Sequence, residues 1–385
     1  MDKRTIIFLS FAALSFFIGS CKKNNGTPTP VYTVPTTYNF ANFNDSNVLK
    51  LLAMADQIAA KINTANMAGV TVSGQQLKDM FNNVNGYFVD SALKLNASGL
   101  KLANYCSSAA AADLSGYFDS VGLYSTSIVA GSNGVAGRSS SSVNASKKLL
   151  LSPGGLWYYQ VVRKTFNDIT AAAITTLYLK DSVANSTNNT TIVPGSGTAM
   201  EHYWDEAFGF FAVPIDFPTN KTGLRYFGSY SNQVDAGLGS NATIMNAFLK
   251  GRAAISAGDL NTRTAQANIL VSAFEQLTAA SVVQEMKETD ANIDAGDAAS
   301  AYGTLSETLG FIRGLKYYTN GRKITDAQIT QLLQLIDSSH PNAPNLYNFL
   351  SVNVNTTAQI KTKTDAIRQF IGQVYGFTAA QLAAQ

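Results

Sequence analysis

The sequence predicts an all-α protein. Apolar residues recur at the 3.6-residue spacing of helices, and helix-start motifs stand at two points along the chain. Sustained two-residue alternation is absent, as are paired runs joined by Asn-Gly or Asp-Gly. Composition agrees, since 46% of the 385 residues are hydrophobic and 14% charged, which supports a substantial core and excludes general disorder. The formal charge of +3 is dispersed, so the chain lacks the concentrated basic face that nucleic-acid binding needs. Two histidines and two cysteines, none closely paired, exclude a structural zinc site and a disulfide scaffold.

The N-terminus comes first. Lys3 and Arg4 precede an apolar run from Ile6 to Ile18, and small residues Gly19 and Ser20 lead to Cys21. This is the pattern of a bacterial secretory signal over residues 1–20. The run is too short to cross a hydrocarbon core of roughly 30 Å. Ile18-Gly19-Ser20-Cys21 resembles the lipobox of bacterial lipoproteins, in which the cysteine is acylated and becomes the mature N-terminus. The expected location is the outer membrane, lipid-anchored and facing the periplasm, because Lys22 and Lys23 differ from the acidic stretch of surface-export tags. Residues 21–40 then read as a lipidated N-terminus and a proline-rich tether. Cys106 is left without a partner for a disulfide and reads as a small buried hydrophobe.

Helices follow. Val48, Leu51, Leu52, Ala55, Ile58, Ala59 and Ile62 fall on one helical face, as do Tyr159, Val162, Phe166, Ile169, Ala173 and Leu177. Ile360, Thr364, Ile367, Phe370, Ile371 and Val374 repeat the pattern near the end. Ser73 with Gln76, and Thr325 with Gln328, have the spacing of capping boxes. Residues 130–146 and 184–199, rich in Gly, Ser, Asn and Thr, are expected as loops, and so are residues 214–240 with Pro214 and Pro218.

One internal match marks a candidate site. His202-Tyr203-Trp204-Asp205-Glu206-Ala207-Phe208-Gly209-Phe210-Phe211 aligns without gaps on Gly303-Thr304-Leu305-Ser306-Glu307-Thr308-Leu309-Gly310-Phe311-Ile312. Glu206 pairs with Glu307 and Gly209 with Gly310. Carboxylates in apolar helical stretches are paired, protonated or bound to something. On a helix His202, Asp205 and Glu206 project from one side, and imidazole with carboxylates suits a divalent first-row metal or iron. The expected metal-ligand set is His202, Asp205, Glu206 and Glu307, clustered across the repeat, with Ser306 beside it. The competing expectation is a buried polar network that fixes two helices against one another. Arg252, set among Phe248, Leu249 and Ile255, is expected either inward, on Asp205 or Glu206, or on the helix surface.

These motifs, with Phe248-Leu249-Lys250-Gly251-Arg252-Ala253-Ala254-Ile255, resemble the imelysin-like superfamily of Gram-negative envelope proteins, and most closely a related lipoprotein family of uncharacterised function. The resemblance covers residues 41–385. It implies two pseudo-symmetric helical bundles, about 41–235 and 240–385, with the motif helices near their interface. It also implies an association with iron acquisition and an outer-membrane transporter or receptor as partner. The leading expectation is a non-enzymatic metal- or iron-uptake binding lipoprotein. A zinc-dependent peptidase is the first alternative, although His340 is the only other histidine and sits in a Ser-Ser-His-Pro turn. A structural or interaction lipoprotein without metal is the second.

Overall fold

The computed structural model describes residues 30–66, 70–90, 92–106, 108–126, 189–318, 321–342, 344–351 and 355–384. The signal segment, Cys21, the run from Tyr159 to Leu177, residues 130–146 and the start of the 184–199 stretch lie outside them.

The described residues form an all-α fold of twelve helices with one two-stranded ribbon. Helix α1 (Ser46–Asn63) buries Val48, Leu51, Leu52, Ala55, Ile58 and Ile62, most of the face read from the sequence. Helix α2 (Gly74–Phe81) starts at Ser73, whose hydroxyl oxygen accepts the Gln76 N–H at 3.2 Å. It packs on α3 (Ser108–Ser125). A Cβ on Gly122 would stand 2.7 Å from the Gly74 nitrogen, so that crossing requires glycine.

Strands β1 (Ile192–Val193) and β2 (Gly197–Thr198) pair antiparallel, Ile192 opposite Thr198. They lie in a stretch expected as loop. Gly195 and Gly197 both have positive φ, and a two-residue strand is too short to leave an alternating pattern. The ribbon delivers Thr198 as N-cap of α4 (Ala199–Phe211).

Helices α5 (Tyr226–Leu238) and α6 (Ser240–Ala257) are separated by the left-handed Gly239. The expectation of a loop over 214–240 is thus corrected, because the second half of that range is helix. Its glycines misled, since Gly228 serves packing, and a Cβ there would sit 2.5 Å from Val213 Cγ1.

Helix α7 (Leu260–Asp294) is 35 residues long and packs against α6, α8 (Ala298–Gly314) and α11 (Thr357–Tyr375). Helix α9 (Asp326–Ile336) carries the full capping box of Thr325 and Gln328. Helices α10 (Leu346–Leu350) and α12 (Ala379–Ala384) are short. One contiguous core runs from Tyr38 to Tyr375. Its centre is aromatic: the Phe211 ring meets Phe274 at 5.8 Å, and Phe248 meets Phe208 at 5.5 Å.

Candidate functional site

The site forms where α4, α6, the N-terminus of α1 and residues 32–43 meet. Helix α4 begins with a reciprocal capping box: Glu201 N–H donates to the Thr198 hydroxyl at 3.2 Å, and Thr198 N–H donates to Glu201 Oε2 at 2.8 Å. That fixes the first turn and leaves Glu201 Oε1 for other donors. Two glycines let the elements approach. A Cβ on Gly251 would fall 2.0 Å from the Trp204 ring, which ties α6 to α4, and one on Gly209 would fall 2.9 Å from Asp45 Cβ, which seats α1. The Trp204 indole N–H donates to the Phe248 carbonyl at 3.0 Å, so the ring cannot slide without losing a buried bond.

Arg252 occupies the junction. Its Nε donates to Asp205 Oδ1 at 2.8 Å, and Nη1 donates to Glu201 Oε1 and Ser256 Oγ, both at 2.6 Å. Ser256 in turn donates to Glu201 at 2.7 Å. The guanidinium lies 5.1 Å from the Phe40 ring, and Nη2 approaches the Ala41 carbonyl at 3.4 Å. Charge pairing and planar donors explain why this arginine tolerates burial.

Tyr38 completes the cluster from residues expected as tether. Its ring stacks on Phe208 at 3.7 Å, its N–H donates to the Ile215 carbonyl at 2.7 Å, and its hydroxyl donates to Asp205 Oδ1 at 2.9 Å. Two donors therefore converge on one oxygen of Asp205, while buried Oδ2 has no partner among the described residues. Burial pushes the Asp205 carboxyl up to about 6, against the pull of Arg252 and Tyr38. Burial acts the same way on Glu201. There the Thr198 N–H, the Ser256 hydroxyl and Arg252 win, holding the group below its ordinary value.

His202 and Glu206 form a second pair on α4. His202 Nε2 lies 3.4 Å from Glu206 Oε1, with the side chains 16% and 5% exposed. Asn47 Nδ2, from the first turn of α1, donates to the same Glu206 oxygen at 3.1 Å. Nδ1 of His202 is buried without a partner among the described residues. Asp45 is close enough to feel Glu206: burial first, then that second carboxylate, raises its carboxyl.

The structure thus brings His202 to Glu206, and Asp205 to Arg252. Ser306 and Glu307 stand on α8, where the Ser306 hydroxyl donates to its own helix at Tyr302. The aligned segments share a burial phase, since Trp204 and Leu305 are both buried, as are Asp205 and Ser306, while Glu307 is only half-buried. Among the described residues no three His, Cys, Asp or Glu side chains are grouped to hold a metal ion. His340 is exposed in its turn, with Nδ1 3.2 Å from Asp337. Burial raises the Cys106 thiol to about 11.

Sequence reasoning missed Glu201, Tyr38, Asn47, Asp45 and Ser256. Glu201 had a signal, the Thr-x-x-Glu spacing of a capping box that begins at Thr198. Tyr38 and Asn47 had none, because both reach the site only through tertiary packing.

The fold and site define an all-helical domain whose motif helix is locked by a buried arginine–carboxylate cluster. The chain matches the family described as Domain of unknown function (DUF4856) over residues 35–378, and it belongs to that family. The match includes Tyr38, which places the packed N-terminal segment within the family domain. Comparison with curated proteins and with solved structures gives no match. No helix among the described residues is long and apolar enough to cross a membrane.

Proposed function

We propose that the chain is a non-enzymatic binding lipoprotein of the cell envelope, imelysin-like in kind and associated with metal or iron uptake. The observation that carries this reading is the His202–Glu206 pair, an imidazole nitrogen and a carboxylate oxygen 3.4 Å apart. The pair stands on a helix that Arg252 and Trp204 hold still. Such a pair fits a divalent first-row metal or iron in its donor chemistry. The chain's own residues supply these two donors, with Asn47 orienting Glu206, and the remaining positions would belong to the metal's other ligands. Arg252 already neutralises Asp205, so Asp205 acts by positioning the helix. Acylation of Cys21 would supply the anchor, as stable attachment needs more than one acyl chain.

Titrating chelator-stripped protein with Fe²⁺, Fe³⁺ and Zn²⁺, while following heat and melting temperature, tests the reading. Metal at 100 times its dissociation constant adds about 2.7 kcal/mol of stability. His202→Ala and Glu206→Gln should each abolish that gain and leave the helical spectrum intact. Metal-dependent proteolysis would favour the peptidase alternative. Absence of any metal response would favour the interaction-protein alternative, which the engagement of Asp205 Oδ1 by Arg252 and Tyr38 supports.

A further inference from the structure

We infer that the cleft between residues 32–41 and the last turn of α6 binds an alkylammonium group. The cleft, about 470 Å³, is walled by Tyr32, Asn39 and Phe40 on one side and by Ala253, Ser256 and Ala257 on the other. That size falls in the range of small-ligand sites, which combine apolar walls with a few polar groups. It lies apart from the His202–Glu206 pair, and no residue lining it is charged.

Three features set the sign of the ligand. The first is the charge immediately behind the wall. Ser256 donates to Glu201, which with Asp205 shares the single guanidinium of Arg252, and Tyr32 donates to the Asp259 carboxylate at 3.2 Å. Among the groups so bonded, three carboxylates stand against one guanidinium, which leaves this part of the wall short of positive charge. The second is the end of α6. The Ala254 and Ile255 carbonyls accept from Gly258 and Asp259 N–H groups and from Asn189, whereas Ser256 and Ala257 carbonyls accept from no donor among the described residues. A helix C-terminus carries partial negative charge on such oxygens and attracts cations. The third is aromatic. Phe40 and Tyr32 both line the cleft, and the Phe40 ring already accepts a cation, Arg252, at 5.1 Å. Aromatic faces beside acceptor oxygens are the usual surroundings of alkylated ammonium ions. A neutral ligand of equal size would gain the walls and lose the field.

The test uses the full chain with choline, its neutral isostere 3,3-dimethylbutan-1-ol, and a lysine-containing peptide, each titrated at millimolar concentration by calorimetry and amide-shift mapping. Choline should bind and shift Tyr32, Ser256 and Ala257 amides, and the neutral isostere should bind at least about threefold to tenfold more weakly. Tyr32→Leu, on the rim where it leaves the Arg252 cluster untouched, should weaken choline by a similar factor. Binding of the peptide in preference to choline would keep the ammonium chemistry and assign its source to a protein side chain. Equal binding of the isostere, or no binding of either ammonium probe, would overturn the inference. None of these outcomes depends on metal, so the inference and the metal-uptake reading fail separately.

Discussion

The Arg252 Nε–H meets Oδ1 of Asp205 at 2.8 Å, and the two side chains are 1% and 0% exposed. A pair so far from water depends on both members. Arg252→Met leaves Asp205 and most of Glu201 buried without their cation, and should cost about 3–5 kcal/mol in urea denaturation. The double variant Arg252→Met/Asp205→Leu should recover a large part of that loss, because exchanging a whole buried pair for apolar groups is far cheaper than breaking it. Additive losses would show that the two side chains act independently.

Acidity should act on the same carboxylate. The folded Asp205 carboxyl is raised by burial to about 6, above its ordinary 3.8. Between these values the folded protein keeps a proton that the unfolded chain has released. Asp205 therefore favours the fold most at low pH, and stability falls as pH rises through about 4 to 6, by roughly 3 kcal/mol in all. Glu201, held below its ordinary 4.5, has the opposite sign, and its stabilisation is lost as pH falls below that value. The unfolding free energy of the wild type relative to Asp205→Asn should therefore fall as pH rises from about 4 to 6. A constant difference between them would remove Asp205 from the titration.

At Gly251 two effects compete. Alanine in a helix interior gains about 1 kcal/mol over glycine. The new methyl group, however, would lie 2.0 Å from Trp204, a fully buried ring held by its bond to Phe248. Overpacking of that kind costs about 1–3 kcal/mol or more, so Gly251→Ala should lower the melting temperature and alter tryptophan fluorescence. An unchanged or raised melting temperature would mean that α4 and α6 can move apart.

Replacing Cys21 with serine should block acylation, abolish incorporation of labelled fatty acid and leave the protein unprocessed or mislocalised. Labelling that persists in Cys21→Ser would rule out acylation at this position.

The helical class was legible because burial on one face imposes a period that survives in the sequence, as Val48 to Ile62 in α1 shows. Arg252 was legible for a related reason: a lone guanidinium among Phe248, Leu249 and Ile255 must turn inward to a carboxylate or out to water. Helix α5 escaped notice because its glycines and serines carry two meanings. Gly228 admits a neighbouring chain, and only the neighbour reveals that it is no turn residue. Glu275 was invisible in the same way. It is buried in α7 and accepts the Lys323 and Ile324 N–H groups and the Tyr375 hydroxyl, donors contributed by distant segments. Tyr38 lay beyond any local rule, since its stack on Phe208 joins residues far apart in sequence.

That stack has a mechanical meaning. Tyr32 is bonded to Asp259 at the head of α7, and Tyr38 to Asp205, the partner of Arg252. Tension applied ahead of Tyr32 would arrive at the head of α7 and then at the motif helix before it reached α1, the first helix in sequence. A pull on this segment would thus load the cluster on the helix that carries His202 and Glu206. The packed segment ahead of α1 and the candidate site behave as two ends of one short lever.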